Sequence, residues 1–136
     1  MASSWLTLGL ILVGLTALMG IAYAWLNPAE RALTPWEARA LLHRNEFDYV
    51  IDVRSNQEYE TGHYRKALHI PLSRFEKELP RRIPDRRASI LIYCLRGRRS
   101  KEAAHIADRL GYTNVYYLAH GDWQELEKEH IPILNV

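Results

Sequence analysis

Thiol is nearly absent from this chain, whose single cysteine is Cys94. One sulfur can form no intrachain disulfide, no Cys-x-x-Cys redox pair and no cysteine-based zinc site. The histidines, His43, His63, His69, His105, His120 and His130, show no His-Glu-x-x-His or similar ligand spacing, so no resident metal is expected. Charge is missing as well from residues 1–26, which contain no Asp, Glu, Lys or Arg. A stretch without charge cannot be the solvated face of a surface helix.

What that stretch does contain is Leu, Ile, Val, Ala, Gly and Met, from Trp5 to Leu26. As a helix of about 22 residues it reaches roughly 33 Å, the depth of a bilayer core. Trp5 near one end and Tyr23 and Trp25 near the other suit headgroup depth. A cleaved signal peptide is the competing reading, with Ala22-Tyr23-Ala24 as a small-x-small site near Ala24 and a secreted or periplasmic product. Against it, no Lys or Arg precedes the run, and the run is longer than a signal core. Arg31, Arg39 and Arg44 all follow the run, so the soluble part is expected to face the cytoplasm. Thr16, Gly20 and Ala24 repeat every fourth position and would let two such helices approach closely as a homodimer. The resulting division is a transmembrane helix over 1–27, a linker over 28–33 and one domain over 34–133.

Within that domain, helical and strand patterns alternate. Thr34-Pro35-Trp36-Glu37 reads as a capped helix start, with the helix running to about Arg44. Tyr49 to Val53 is a short, nearly continuous apolar run that suits a strand covered on both faces. One or two helical turns over Asn56 to Thr61 precede Gly62, and Ala67 to Ile70 is a shorter strand stopped by Pro71. Ser73 caps a short helix through Leu79. Ser89 to Tyr93 is the clearest strand and ends at Cys94. A helix over Ser100 to Leu110 stops at Gly111, a strand covers Val115 to Leu118, and a last helix covers Asp122 to His130. The alternation predicts an α/β fold, a parallel sheet flanked by helices on both faces, with ligands beyond the carboxyl ends of the strands.

The chain carries a net charge of only +2, but between Arg81 and Lys101 stand eight cationic residues with Asp85 as their sole acid. Cys94 lies inside this basic region. The run Cys94-Leu95-Arg96-Gly97-Arg98-Arg99-Ser100 sets a thiol at a strand's end and at a helix's mouth. Free amides there, with Arg96, Arg98 and Arg99, favour an anion, so a thiolate nucleophile is expected.

Three pieces in this order, Asp52-Val53-Arg54 with Glu58-Tyr59, Gly62-His63 through Ala67 to Ile70-Pro71, and Tyr93-Cys94-Leu95-Arg96-Gly97-Arg98-Arg99-Ser100, resemble the rhodanese-like domain family. The resemblance covers about residues 33–133. It implies a rhodanese-like sulfurtransferase in which Cys94 takes sulfane sulfur as a persulfide. The amides and charges of Leu95, Arg96, Gly97, Arg98, Arg99 and Ser100 would bind the substrate, and Asp52, Arg54 and Glu58 would brace the loop through ion pairs. The donor would be a small sulfur anion such as thiosulfate or a protein persulfide, and the acceptor a thiol or cyanide. No cofactor is implied, since thiolate exchange needs none. Tyr64, Lys66 and His120 stand where the family usually has Ile, Gly and Gly, and His120 is expected to border the pocket.

Loop length separates this reading from a cysteine phosphatase, which needs an Arg after five intervening residues; here Ser100 holds that place. A catalytically silent, membrane-tethered scaffold that binds partner proteins is the non-enzyme alternative. The arginine cluster lacks interleaved aromatics or a docking motif, so nucleic acid is not expected as a partner.

Overall fold

The computed structural model describes residues 2–26 and 31–128. The Asn27-Pro28 stop, linker positions 28–30 and the end of the last helix at His130 lie outside the described residues. Helix α1 covers Ala2–Leu26, and its segment Ser3–Tyr23 has a mean hydropathy of 2.1 with none of it buried. By length and composition it can cross a membrane, a property that signal sequences share.

The domain is one sheet of β1 (Ala32–Leu33), β2 (Tyr49–Asp52), β3 (Ala67–His69), β4 (Ile90–Tyr93) and β5 (Val115–Leu118). The strands are all parallel and lie in the order β1-β5-β4-β2-β3. Between them run α2 (Pro35–His43), α3 (Asn56–Thr61), α4 (Leu72–Arg82) and α5 (Arg98–Arg109), and α6 (Trp123–Glu127) follows β5. Strand alternation divides the interior in two. Ile90, Ile92 and Cys94 pack with Phe75 and Leu79 of α4 and Ala103, Ala104 and Ala107 of α5. Leu91 and Tyr93 pack on the other face with Ala38 of α2, Tyr64 and Leu126 of α6. Helices thus cover both faces, as the pattern predicted.

Two short helices begin with reciprocal caps. Thr34 Oγ1 accepts from the Glu37 amide at 3.3 Å, while Glu37 Oε2 accepts from the Thr34 amide at 2.8 Å. Ser55 and Glu58 do the same for α3.

Several ends differ from the sequence reading by one residue, and three boundaries among the described residues differ by more. Ala32 and Leu33, assigned to the linker, form an edge strand beside Tyr117 and Leu118. Two residues are too few to carry a periodic signal. Helix α4 begins at Leu72 without a side-chain cap and continues past Pro80 to Arg82. Pro80 costs one backbone bond, but Leu79 and Ile83 on either side of it are fully buried, and that burial holds the last turn. Helix α5 begins at Arg98 rather than Ser100, because the Ser100 hydroxyl bonds the Gly97 and Leu118 carbonyls at 3.0 Å each instead of capping.

The chain leaves β2 toward β3 on one side and leaves β4 toward β5 on the other. The crevice between the carboxyl ends of β2 and β4 is therefore the switch point where such sheets bind ligands. Asp52 and Tyr93 pair directly across it, and Cys94 is the next residue.

Candidate active site

Burial on both faces drives β4 straight through the core and leaves Cys94 at its end, 1% exposed and unpaired with any other thiol. The chain then turns within three residues. Gly97 adopts φ 101°, a left-handed conformation that β-carbon-bearing residues resist, and α5 starts immediately after it. This turn aims backbone donors at the sulfur. The Gly97 amide lies 3.0 Å from Cys94 Sγ and the Ser100 amide 3.4 Å. In the neutral form Sγ–H donates toward Ser100 Oγ at 3.5 Å.

Burial pushes the Cys94 thiol up, yet hydrogen bonds from the Ser100 side chain and the amides of Ser100, Arg96 and Gly97 outweigh it and leave the thiol below its ordinary value. The thiolate is thus held chiefly by the first turn of α5 and the loop before it. Arg99, expected to add its charge to the sulfur, turns toward helix α3. Its Nη1 and Nη2 donate to Glu58 Oε1 and Oε2 at 2.6 and 2.9 Å. The hydrogen bond to Glu58, and more weakly the Cys94 charge, raise the Arg99 pKa. Arg99 therefore acts as a strut between loop and helix while remaining within electrostatic reach of the sulfur.

Glu58 is the other end of that strut and also closes the α3 cap on Ser55. The Arg99 hydrogen bonds lower its pKa from 4.5 to about 2. A carboxyl depressed on folding stabilises the fold fully above its unfolded value and ceases to do so as pH falls through the folded one. Stability is therefore expected to decline as pH drops from about 4.5 toward 2, and Glu58→Gln should flatten that part of the profile, as acid titration followed by circular dichroism would reveal. An unchanged slope in the variant would assign the acid sensitivity to other carboxyls.

Asp52 and Arg54 are 0% and 4% exposed and are joined at 2.8 Å. The pair is bonded further on both sides: Asp52 Oδ1 accepts from the Arg54 amide at 2.9 Å, Oδ2 accepts from the Tyr93 hydroxyl at 2.8 Å, and Arg54 Nη2 donates to the Gly62 carbonyl at 2.6 Å. Burial would lower the Arg54 pKa, but the Asp52 bonds raise it. Burial and then the Asp52 carboxylate hold the Tyr93 phenol well above its usual value, so it stays a neutral donor. Its oxygen in turn accepts from the Tyr64 amide at 3.0 Å. The residue before the cysteine is thereby tied to β2 and to the turn at Gly62.

Of the residues singled out from sequence, Leu95, Arg96 and Arg98 are exposed around a cavity of about 490 Å³ that Cys94 borders, together with Arg99 and Glu102. Glu58 meets the loop directly through Arg99, whereas Asp52 and Arg54 reach it only through Tyr93. His120, expected to border the pocket, does not line that cavity; it approaches the loop by its backbone, where a Cβ on Gly97 would stand 3.3 Å from the His120 nitrogen. The sequence reading assigned no site role to Tyr93 or Gly62, although both stand in the motifs, nor to His69, whose Nε2 lies 2.9 Å from the Arg54 carbonyl and whose ring stacks on Tyr59 at 4.2 Å. Tyr93 had one signal, since a phenol in a buried strand needs a polar partner.

The Rhodanese-like domain model matches residues 34–132. The chain belongs to the rhodanese-like domain family. It is 34% identical over 68 residues to the thiosulfate sulfurtransferase PspE of Escherichia coli, covering 50% of this chain and 65% of that protein. It is 36% identical over 89 residues to the tRNA uridine(34) hydroxylase of Erwinia tasmaniensis, covering 62% of this chain but 25% of that one. The chain thus spans under two thirds of either relative, and their names differ in activity. Among solved structures, the human single-domain sulfurtransferase TSTD1 superposes with a TM-score of 0.64 at 29% identity, over 74% of this chain and 98% of that one. The rhodanese fold is therefore common to this domain and a sulfurtransferase of nearly the same extent.

Proposed function

We propose that this rhodanese-like domain moves sulfane sulfur through a Cys94 persulfide, from thiosulfate or a persulfide donor to a thiol or cyanide. The carrying observation is the Gly97 amide at 3.0 Å from Cys94 Sγ, beside an open cavity with Arg96 and Arg98 around it. The thiolate attacks the outer sulfur of thiosulfate; a new S–S bond forms, the old one breaks, and sulfite departs with its electron pair. An acceptor thiolate or cyanide then attacks the terminal persulfide sulfur, and Cys94 leaves as thiolate. Both halves balance without an oxidant or a cofactor. The loop amides stabilise the negative sulfur in the resting and the loaded forms. The exposed guanidinium groups of Arg96 and Arg98 draw anions toward it.

Incubation with thiosulfate is expected to add about 32 Da to Cys94, the mass of one sulfur, with one sulfite released per site, and cyanide should remove it. Intact-mass spectrometry that finds only unmodified protein would shift the reading to a silent scaffold.

The same proposal includes retention of α1 as a single-pass anchor with the domain on the cytoplasmic side. Support comes from the uncharged residues 1–26 and the following Arg31, Arg39 and Arg44. A C-terminal reporter active in the periplasm, or a mature chain beginning near Trp25, would reverse it.

A further inference from the structure

A parallel sheet has two unlike ends. Cys94 and Asp52 lie at the carboxyl ends of β4 and β2. The opposite end gathers the turns that feed the strands, and α2, α4 and α5, running back between parallel strands, end there too. Arg31 enters β1 at this amino end. Four residues, 27–30, separate Leu26 from Arg31, and five Cα steps reach at most about 18 Å. An anchor at α1 therefore keeps the amino end of the sheet within reach of the headgroups and directs the strands away from them.

The charge at that end suits the position. Arg65 and Lys66 lead into β3 and Arg87 into β4; all three are exposed and take part in no ion pair among the described residues. Three of the acids nearby accept from backbone, Asp48 from the Ser89 amide at 2.8 Å, Asp85 from the Arg87 amide at 2.9 Å and Glu127 from the Arg65 amide at 3.0 Å, and Glu46 stands exposed in the turn before β2. Beside Arg65 and Lys66 opens a second cavity, of about 270 Å³, also bordered by Arg39, His43 and Lys128, with Glu127 its one carboxylate. It shares no lining residue with the cavity over Cys94.

We propose that this cationic end of the domain docks on an anionic phospholipid surface, headgroup phosphates meeting Arg65, Lys66 and Arg87 and entering the adjacent cavity. The attraction acts within a Debye length of the bilayer, about 8 Å at physiological salt, a distance the short tether allows. Docked this way, the domain holds Cys94 on its far side, open to soluble sulfur anions and to partner proteins. The proposal rests on α1 being a retained anchor.

The test compares the full chain in nanodiscs of phosphatidylcholine alone with discs that also contain phosphatidylglycerol, by hydrogen–deuterium exchange. The turns over residues 64–66 and 84–89 are expected to exchange about threefold more slowly in anionic discs, with the 94–97 loop unchanged. The difference should vanish at about 0.5 M salt, where screening is complete within a few Å. The variant Arg65→Glu/Lys66→Glu/Arg87→Glu should lose the protection and keep its thiosulfate turnover. Equal exchange in both lipids, with the protein firmly inserted, overturns docking and leaves the anchor intact. Protein that does not incorporate into discs overturns the anchor and the docking together.

Discussion

Cys94→Ser is expected to reduce cyanide-dependent thiocyanate formation to the uncatalysed background while the domain stays folded. The loss is chemical. A serine hydroxyl does not ionise near neutral pH, and the low-pKa thiolate that the Gly97 and Ser100 amides support is the one nucleophile the protein itself supplies to the proposed cycle. The fold should tolerate the exchange because the buried oxygen inherits the same donors. A hydroxyl left unbonded in a core costs about 1–3 kcal/mol, but this one has the Gly97 amide for its oxygen and the Ser100 hydroxyl for its proton. The melting midpoint should therefore move by only a few degrees, since about 1 kcal/mol corresponds to roughly 4–8 °C for a domain of this size. Thiocyanate turnover retained by the variant would remove Cys94 from the reaction. Turnover absent from both proteins would favour a scaffold that uses the same cavity to bind partners.

Local chemistry made much of this molecule legible. Ile90 to Tyr93 reads as a doubly covered strand because every residue in it is buried, and the thiol at its end follows without further information. The Thr34–Glu37 cap is likewise local, formed between residues three apart, whereas the equally local Ser55–Glu58 cap went unread. What else escaped was set by distant partners. Nothing near Ala32 tells it to pair with Tyr117, and nothing near Pro80 says that Leu79 and Ile83 will be sealed in the core. The site divides in the same way. Cys94, Gly97 and Ser100 lie within one turn and could be grouped from sequence, whereas Arg99 was expected to face the sulfur and instead bridges to Glu58, 41 positions away. The Tyr93–Asp52 bond spans the same separation, across two strands whose adjacency the sequence does not state.

Gly97→Ala tests whether the loop's conformation, rather than its charge, makes the site. An added Cβ would overlap the carbonyl oxygen of Ala119, a backbone atom that cannot rotate aside, and φ at this position is +101°. The left-handed backbone alone costs a β-carbon-bearing residue about 1–2 kcal/mol. Relieving the overlap adds about 1–3 kcal/mol by forcing the loop off β5. Moving the loop withdraws the Gly97 amide from Sγ, and losing one such preorganised donor lowers turnover about 100- to 1,000-fold in comparable sites. Gly111→Ala is the matched control, with φ +91° but nothing within 4 Å of its added Cβ. It should show the backbone penalty alone, a modestly lower melting midpoint with sulfur transfer intact. In Gly97→Ala, both the midpoint and turnover should fall, and the pH at which the thiol becomes alkylated should rise. If the two variants lose the same stability and both keep full turnover and an unaltered alkylation profile, the amide at Gly97 is not what holds the sulfur anion.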